Sequence, residues 1–218
     1  MTQPSPGENG TRRSWLWKTL QSVARLWTTL MFDLKVRGIE HVPKRGGVLL
    51  LANHQSYLDP VVVGVRLRRP VSYMAKSELF EGKGFFAWLI RSLHAFPVKQ
   101  GRGDIGAIKQ AIARLHEGYA LNIYPEGTRT EDGEIGPIQP GVALVVKRAD
   151  VPIIPVVIDG SFKSWPRSRK LFHSHPVRVQ FGPAMTVNGL SSEQILTKIG
   201  QTLRSMLQEL RASKEGRQ

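Results

Sequence analysis

Short apolar runs that read as strands alternate along this chain with segments of helical period, and few architectures accommodate that alternation. Val48 to Ala52, "VLLLA", lies between a turn-rich connector containing Pro43, Gly46 and Gly47 and the polar pair Asn53 and His54. "YALNIY", ending at Tyr124, then "PIIPVVI" and "VRVQFG" read as further strands. "DIGAIKQAIARLHEG" has the marks of a helix: Asp104 suits the cap, Ile105, Ile108, Ile112 and Leu115 share a face, and Gly118 ends it. "VVVGVRLRRP" is expected to be a helix with Asp59 as its cap and Pro60 at its first position. "GFFAWLIRSLHAF" is expected to be a helix that stops at Pro97, and "SSEQILTKIGQTLRSMLQELRASK" a surface helix. The alternation predicts an α/β fold with a mostly parallel central sheet flanked by helices. At 218 residues the chain suits one such domain.

Charge narrows the partners. Thirty-one Lys and Arg against 17 Asp and Glu leave a net charge of +14, which favours nucleic acid, phospholipid surfaces or phosphorylated small molecules. With no cysteine, disulfides, thiol nucleophiles and thiolate metal sites are excluded. No segment approaches the roughly 18 consecutive apolar residues of a spanning helix. "TRRSWLW" faintly resembles a twin-arginine export signal, but Lys18, Gln21 and Arg25 interrupt its apolar stretch and no small-residue cleavage site follows.

Four segments are expected: a polar tail over 1–13, an amphipathic helix over 14–35, the α/β domain over 36–212, and a second tail over 213–218. In the helix, Leu16, Leu20, Val23, Trp27, Leu30, Met31 and Leu34 line one face, with Lys18, Gln21, Ser22, Arg25 and Thr29 opposite. That period fits a helix packed on the domain core. Trp15 and Trp17 beside Arg12 and Arg13 suit instead a helix lying flat in a lipid headgroup layer, its apolar face sunk.

In open α/β sheets ligands gather beyond the carboxyl ends of the strands. Two polar loops sit at such ends, "NHQSYLD" after Ala52 and "PEGTRT" after Tyr124, and parallel strands would bring them to one edge. In the first, Asp59 is placed to accept from the His54 Nδ1–H, leaving Nε2 as a base and stabilising the imidazolium formed on proton uptake. The chain offers no protein nucleophile to match, since Ser56 lacks a nucleophile-elbow pattern. The pair is therefore expected to activate a hydroxyl brought by a substrate. The plainer alternative is that His54 caps a strand end and Asp59 a helix. A metal is not expected, because His54 and Asp59 lack a further ligand set and His173 with His175 form at best a pair. In the second loop Gly127 permits a tight turn and Arg129 can fork onto phosphate oxygens, while Glu126 can hold that arginine or bind a substrate hydroxyl. Lys99 and Arg102, in "KQGRGD" before a helix N-terminus, are candidate phosphate contacts.

These blocks, followed by the Pro-flanked strand "VPIIPVVIDG", resemble the lysophosphatidic acid acyltransferase family from about Val36 to Gly182. The resemblance implies that His54 takes the proton of the acceptor hydroxyl, with Asp59 orienting it. That hydroxyl then attacks the thioester of acyl-CoA or acyl carrier protein, with no acyl-enzyme and no further cofactor. Glu126, Gly127, Thr128 and Arg129 would bind the acceptor, lysophosphatidic acid, and its phosphate. Pro152 and Pro155 would have a structural part in shaping the acyl pocket. It also implies that the N-terminal helix takes lysolipid from a membrane of anionic phospholipid, at the cytoplasmic face, as a peripheral or monotopic protein. Where the family shows "FPVDRGR", this chain reads "FPVKQGR", so Gln100 replaces an arginine tied to phosphate binding. Either Lys99 and Arg102 restore that charge, or the acceptor is another lysolipid, such as lyso-ornithine lipid or a lysophospholipid with a larger head group. A non-catalytic basic membrane-surface adaptor would not need His54 or Asp59. Nucleic acid is not expected: "KSWPRSRKLFHSH" interleaves basic and aromatic residues, but no recognised nucleic-acid module contains it.

Overall fold

The expected strand Val48–Ala52 forms with those bounds and is buried at every position. We label it β2. In the computed structural model, which describes residues 15–76, 96–98, 105–169 and 171–215, β2 lies at the centre of a sheet. It pairs in parallel with β5 (Ala120–Ile123) on one side and β6 (Ile153–Asp159) on the other, placing Leu49 opposite both Leu121 and Ile153. A strand flanked on both edges and covered on both faces must be apolar throughout, which accounts for the unbroken run. The remaining strands are β1 (Lys35–Arg37), β3 (Val71–Lys76), β4 (Phe96–Val98) and β7 (Arg178–Phe181), in the order β1-β7-β6-β2-β5-β3-β4. All neighbours are parallel except β6 and β7.

Helices cover both faces. Leu49, Leu51, Leu121 and Val157 pack against α3 (Ile105–His116), α4 (Gly141–Ala149) and the long C-terminal helix α6 (Ser192–Glu215). Leu50, Ala52, Ile154 and Val156 face the other way, onto α2 (Asp59–Gly64) and the end of α1 (Trp15–Phe32). A short helix, α5 (Ser161–Ser164), follows β6.

Several expectations change. β1, β3, β4 and α4 are absent from the sequence reading: the three-residue β1 and β4 carry no period, and the valine-rich α4 resembles a strand. Helix α2 is shorter than expected, ending at Gly64, and Leu58 holds its cap position. Asp59 is its first residue, with its carboxylate turned back toward the loop. The helix expected before Pro97 lies outside the described residues, as do the tail over 1–13, Lys99 and Arg102.

Helix α1 docks through the side that carries Gln21, Ala24, Arg25, Thr28 and Phe32. Gln21 Nε2 donates to the Leu67 carbonyl at 2.7 Å, Arg25 Nε donates to that of Val65 at 2.7 Å, and Thr28 is fully buried. Gln21 and Arg25 satisfy carbonyls just past the end of α2, where no helical N–H is available. Of the expected apolar row, Leu34 is buried and Trp27 packs edge-on against Phe32 and Phe172. Val23, Leu30 and Met31 point outward, joined by Trp15 and Leu26. No helix among the described residues is long and apolar enough to cross a membrane.

Candidate active site

β2 and β5 are parallel neighbours, so the loops that leave their carboxyl ends meet, and backbone bonds staple them together. The His54 N–H donates to Glu126 Oε1 at 2.8 Å, and the His54 carbonyl accepts from the Thr130 N–H at 2.8 Å. The second block thus brackets the histidine's backbone from both sides. The imidazole stacks on the Tyr124 ring, with centroids 3.9 Å apart and planes inclined by 13°. Nδ1 lies 2.8 Å from Asp59 Oδ2, as the five-residue spacing predicts. That leaves Nε2 as the other ring nitrogen, with 19% of the side chain exposed.

Asp59 is fully buried, and a carboxylate so placed needs its lone pairs filled. Oδ2 also accepts from the backbone N–H groups of Gln55 at 2.6 Å and Ser56 at 2.7 Å, while Oδ1 accepts from the Ser161 hydroxyl at 2.7 Å. Asn53 adds an anchor across the sheet: its amide donates to the Ile158 carbonyl and accepts from the Ile158 N–H.

Glu126 lies between the two loops. It is buried, and its two oxygens are taken by the His54 N–H and, at 2.9 Å, the Gly136 N–H. Burial raises its pKa, against the lowering effect of those two donors. A carboxylate so engaged ties the two loops together. Gly127 and Thr128 are exposed beside it. Gly127 adopts φ 72°, and a side chain there would press within 3.1 Å of Gln139, so the turn requires glycine. The Arg129 guanidinium lies 3.6 Å above the Tyr57 ring, and its Nη1 is buried without a hydrogen-bond partner among the described residues.

The proline expectations separate. Pro152 is exposed just before the amino end of β6, at the sheet edge opposite His54. Pro155 lies within β6 opposite Leu51, on the strand face turned from Val156, and packs beneath Gly182 and Met206 in the core. Among the described residues no group of three or more His, Asp or Glu is placed to hold a metal ion.

A family model described as "Acyltransferase" matches residues 33–159, from the end of α1 through β6, including both loops. The chain belongs to the acyltransferase family. It is similar to the 1-acyl-sn-glycerol-3-phosphate acyltransferase of Bacillus subtilis strain 168, 28% identical over 199 residues that cover 89% of this chain and 96% of that one. A chloroplastic 1-acyl-sn-glycerol-3-phosphate acyltransferase of Brassica napus is 24% identical over 160 residues, 70% of this chain but 46% of that longer protein. The crystal structure of the 1-acyl-sn-glycerophosphate acyltransferase of Thermotoga maritima superposes with a TM-score of 0.76 at 25% identity, covering 89% of this chain and 80% of that one. The acyltransferase fold expected from the sequence is thus the fold observed.

Sequence reasoning missed three parts of the site. The Tyr124 stack had a signal, since Tyr124 directly precedes the second block. The Thr130 N–H bond to His54 had none, because a backbone donor leaves no trace in residue identity. Ser161 lies 102 positions from Asp59 and only the fold joins them.

Proposed function

We propose that this acyltransferase moves a fatty acyl group from a thioester, acyl-CoA or acyl carrier protein, to the free hydroxyl of 1-acyl-sn-glycerol-3-phosphate, giving phosphatidic acid. The observation that carries the reading is the His54–Asp59 contact held beside an arginine whose buried Nη1 has no partner among the described residues. Nε2 removes the acceptor hydroxyl proton as the oxygen attacks the thioester carbonyl. The tetrahedral intermediate collapses with loss of thiolate, and the imidazolium returns the proton to the departing sulfur. Asp59 stabilises the transient imidazolium, and His54 ends as it began. Arg129 is suited to grip the phosphate and, pre-oriented on Tyr57, loses little freedom on doing so. The relatives' names supply the acceptor. The Gln100 departure keeps another head group as the second reading.

The lysolipid substrate resides in membranes, and the outer face of α1 suits that surface. Trp15, Val23, Leu26 and Leu30 are 62–77% exposed on it. An aromatic chain leads from there to the site: Trp27 to Phe172 at 5.6 Å, Phe172 to Trp165 at 5.8 Å, and Trp165 to Tyr57 at 5.3 Å under Arg129. Exposed Arg167, Arg169 and Leu171 border it, a basic and apolar mixture fitted to anionic phospholipid at the cytoplasmic face.

Because the protein has no thiol of its own, release of CoA can be followed with a thiol dye. His54→Ala is expected to lower kcat by about 10³-fold with acyl-CoA and lysophosphatidic acid in vesicles. Near-normal turnover by that variant sinks the mechanism. Release with a different lysolipid, but not with lysophosphatidic acid, keeps the mechanism and replaces the acceptor.

A further inference from the structure

The two oxygens of Asp59 are served unequally. Three donors converge on Oδ2, the His54 ring and two backbone N–H groups. Oδ1 has one, the Ser161 hydroxyl at 2.7 Å. Ser161 belongs to neither loop: it opens α5, where β6 ends. The turn that delivers it is tightly specified. Gly160 adopts φ 91°, and a Cβ there would stand 2.1 Å from the Pro176 carbonyl oxygen. Ser161 is itself fully buried, so water cannot readily replace its hydroxyl. Its other acceptor, Gln55 Oε1, is farther away at 3.3 Å, and the single hydroxyl proton goes to the shorter, charged contact.

We propose that Ser161 is a positioning residue for acyl transfer, holding the Asp59 carboxylate aligned with the His54 ring from a third segment of the chain. The inference rests on the reading of His54 as the base. In the step proposed above, Nε2 gains the acceptor's proton while Nδ1 keeps its own, so Asp59 must stay an anion beside an imidazolium. A buried carboxylate with an empty oxygen tends either to take the Nδ1 proton or to turn about its Cβ–Cγ bond toward another donor. Either event weakens the imidazolium. The Ser161 hydroxyl opposes both, by filling Oδ1 with a neutral donor that cannot itself supply a proton at working pH.

The test uses the full chain with Ser161→Ala, acyl-CoA and vesicle-borne lysophosphatidic acid. It is paired with proton spectra of the ¹⁵N-histidine-labelled protein, in which an Nδ1–H bonded to a carboxylate resonates far downfield. The expected result is a kcat lowered about tenfold with both KM values within about twofold of wild type, and the His54 Nδ1–H resonance moved upfield or lost. Wild-type kcat in the variant overturns the inference. So does an unmoved resonance with activity falling only in step with Tm, which makes Ser161 a packing residue. His54→Ala run alongside separates the two readings. If it turns over like wild type, the base assignment fails. If it is inactive while Ser161→Ala matches wild type, this inference alone fails.

Discussion

The loop that carries His54 and the outer face of α1 depart from the usual distribution of polarity in opposite directions. Around His54 the chain buries Asn53, Gln55, Ser56, Asp59 and Glu126, polar or charged side chains taken from water. On α1 it exposes Trp15, Val23, Leu26 and Leu30 while turning Gln21 and Arg25 inward. In the first region each of these five side chains is matched by a donor or acceptor, so their geometry is over-determined. In the second, apolar area stays in water with no partner among the described residues, a cost that folding alone does not recover. The first pattern suits a group that must be held still. The second suits a surface that meets something else.

The largest effect is expected where the first region is struck at its centre. Asp59→Asn keeps an oxygen for the three donors at Oδ2 and places an amide against Ser161, whose hydroxyl can then accept. The fold should survive while the charge is lost, so kcat is expected to drop by about 10³-fold at unchanged far-ultraviolet circular dichroism. Activity within a few-fold of wild type would mean that the ring's orientation alone matters. Glu126→Gln is expected to act next. Glutamine offers one acceptor where two N–H groups, of His54 and Gly136, need one each. A buried N–H left against an amide N–H costs about 1–3 kcal/mol, read as a lowered Tm, and kcat should fall with it as His54 loosens. An unchanged acceptor KM would confirm that Glu126 ties loops and does not hold substrate.

The second region is broken by charge. Leu26→Asp together with Leu30→Asp leaves every described hydrogen bond in place, since both side chains face solvent. Turnover of vesicle-borne acceptor is expected to fall about tenfold, while turnover of a short-chain lysolipid dispersed in water stays as it was. Equal losses with both acceptors would mean that the face packs against protein.

The two regions also differ in how far the sequence disclosed them. The His54–Asp59 contact was legible because it is local: five residues fix the reach, and the strand before it is marked by composition. The joining of "NHQSYLD" to "PEGTRT" followed from a parallel sheet, and that sheet followed from the alternation of elements. The use of Glu126 was not legible, since nothing in the residue says that its oxygens meet backbone N–H groups of His54 and Gly136. Helix α1 shows the limit of periodicity. The period located a helix and an apolar face, and left open which face would dock. Docking was decided by carbonyls beyond the end of α2 that needed donors, a demand made by the partner surface.

That last point yields the smallest and most pointed expectation. Gln21 Nε2 reaches the Leu67 carbonyl at 2.7 Å, a bond made by a polar residue that the helical pattern assigns to solvent. Gln21→Ala is expected to lower the stability of the isolated protein by about 1 kcal/mol, the net worth of one such bond. Val23→Ser, two residues away on the 62% exposed face, should change it by less than about 0.5 kcal/mol. On vesicles the order should reverse, with Val23→Ser weakening association and Gln21→Ala leaving it intact. Denaturant melts of the two variants and their co-sedimentation with anionic vesicles form a two-by-two test. If Val23→Ser instead proves the more destabilising in water, α1 docks through its apolar face and the contrast drawn between the two regions fails.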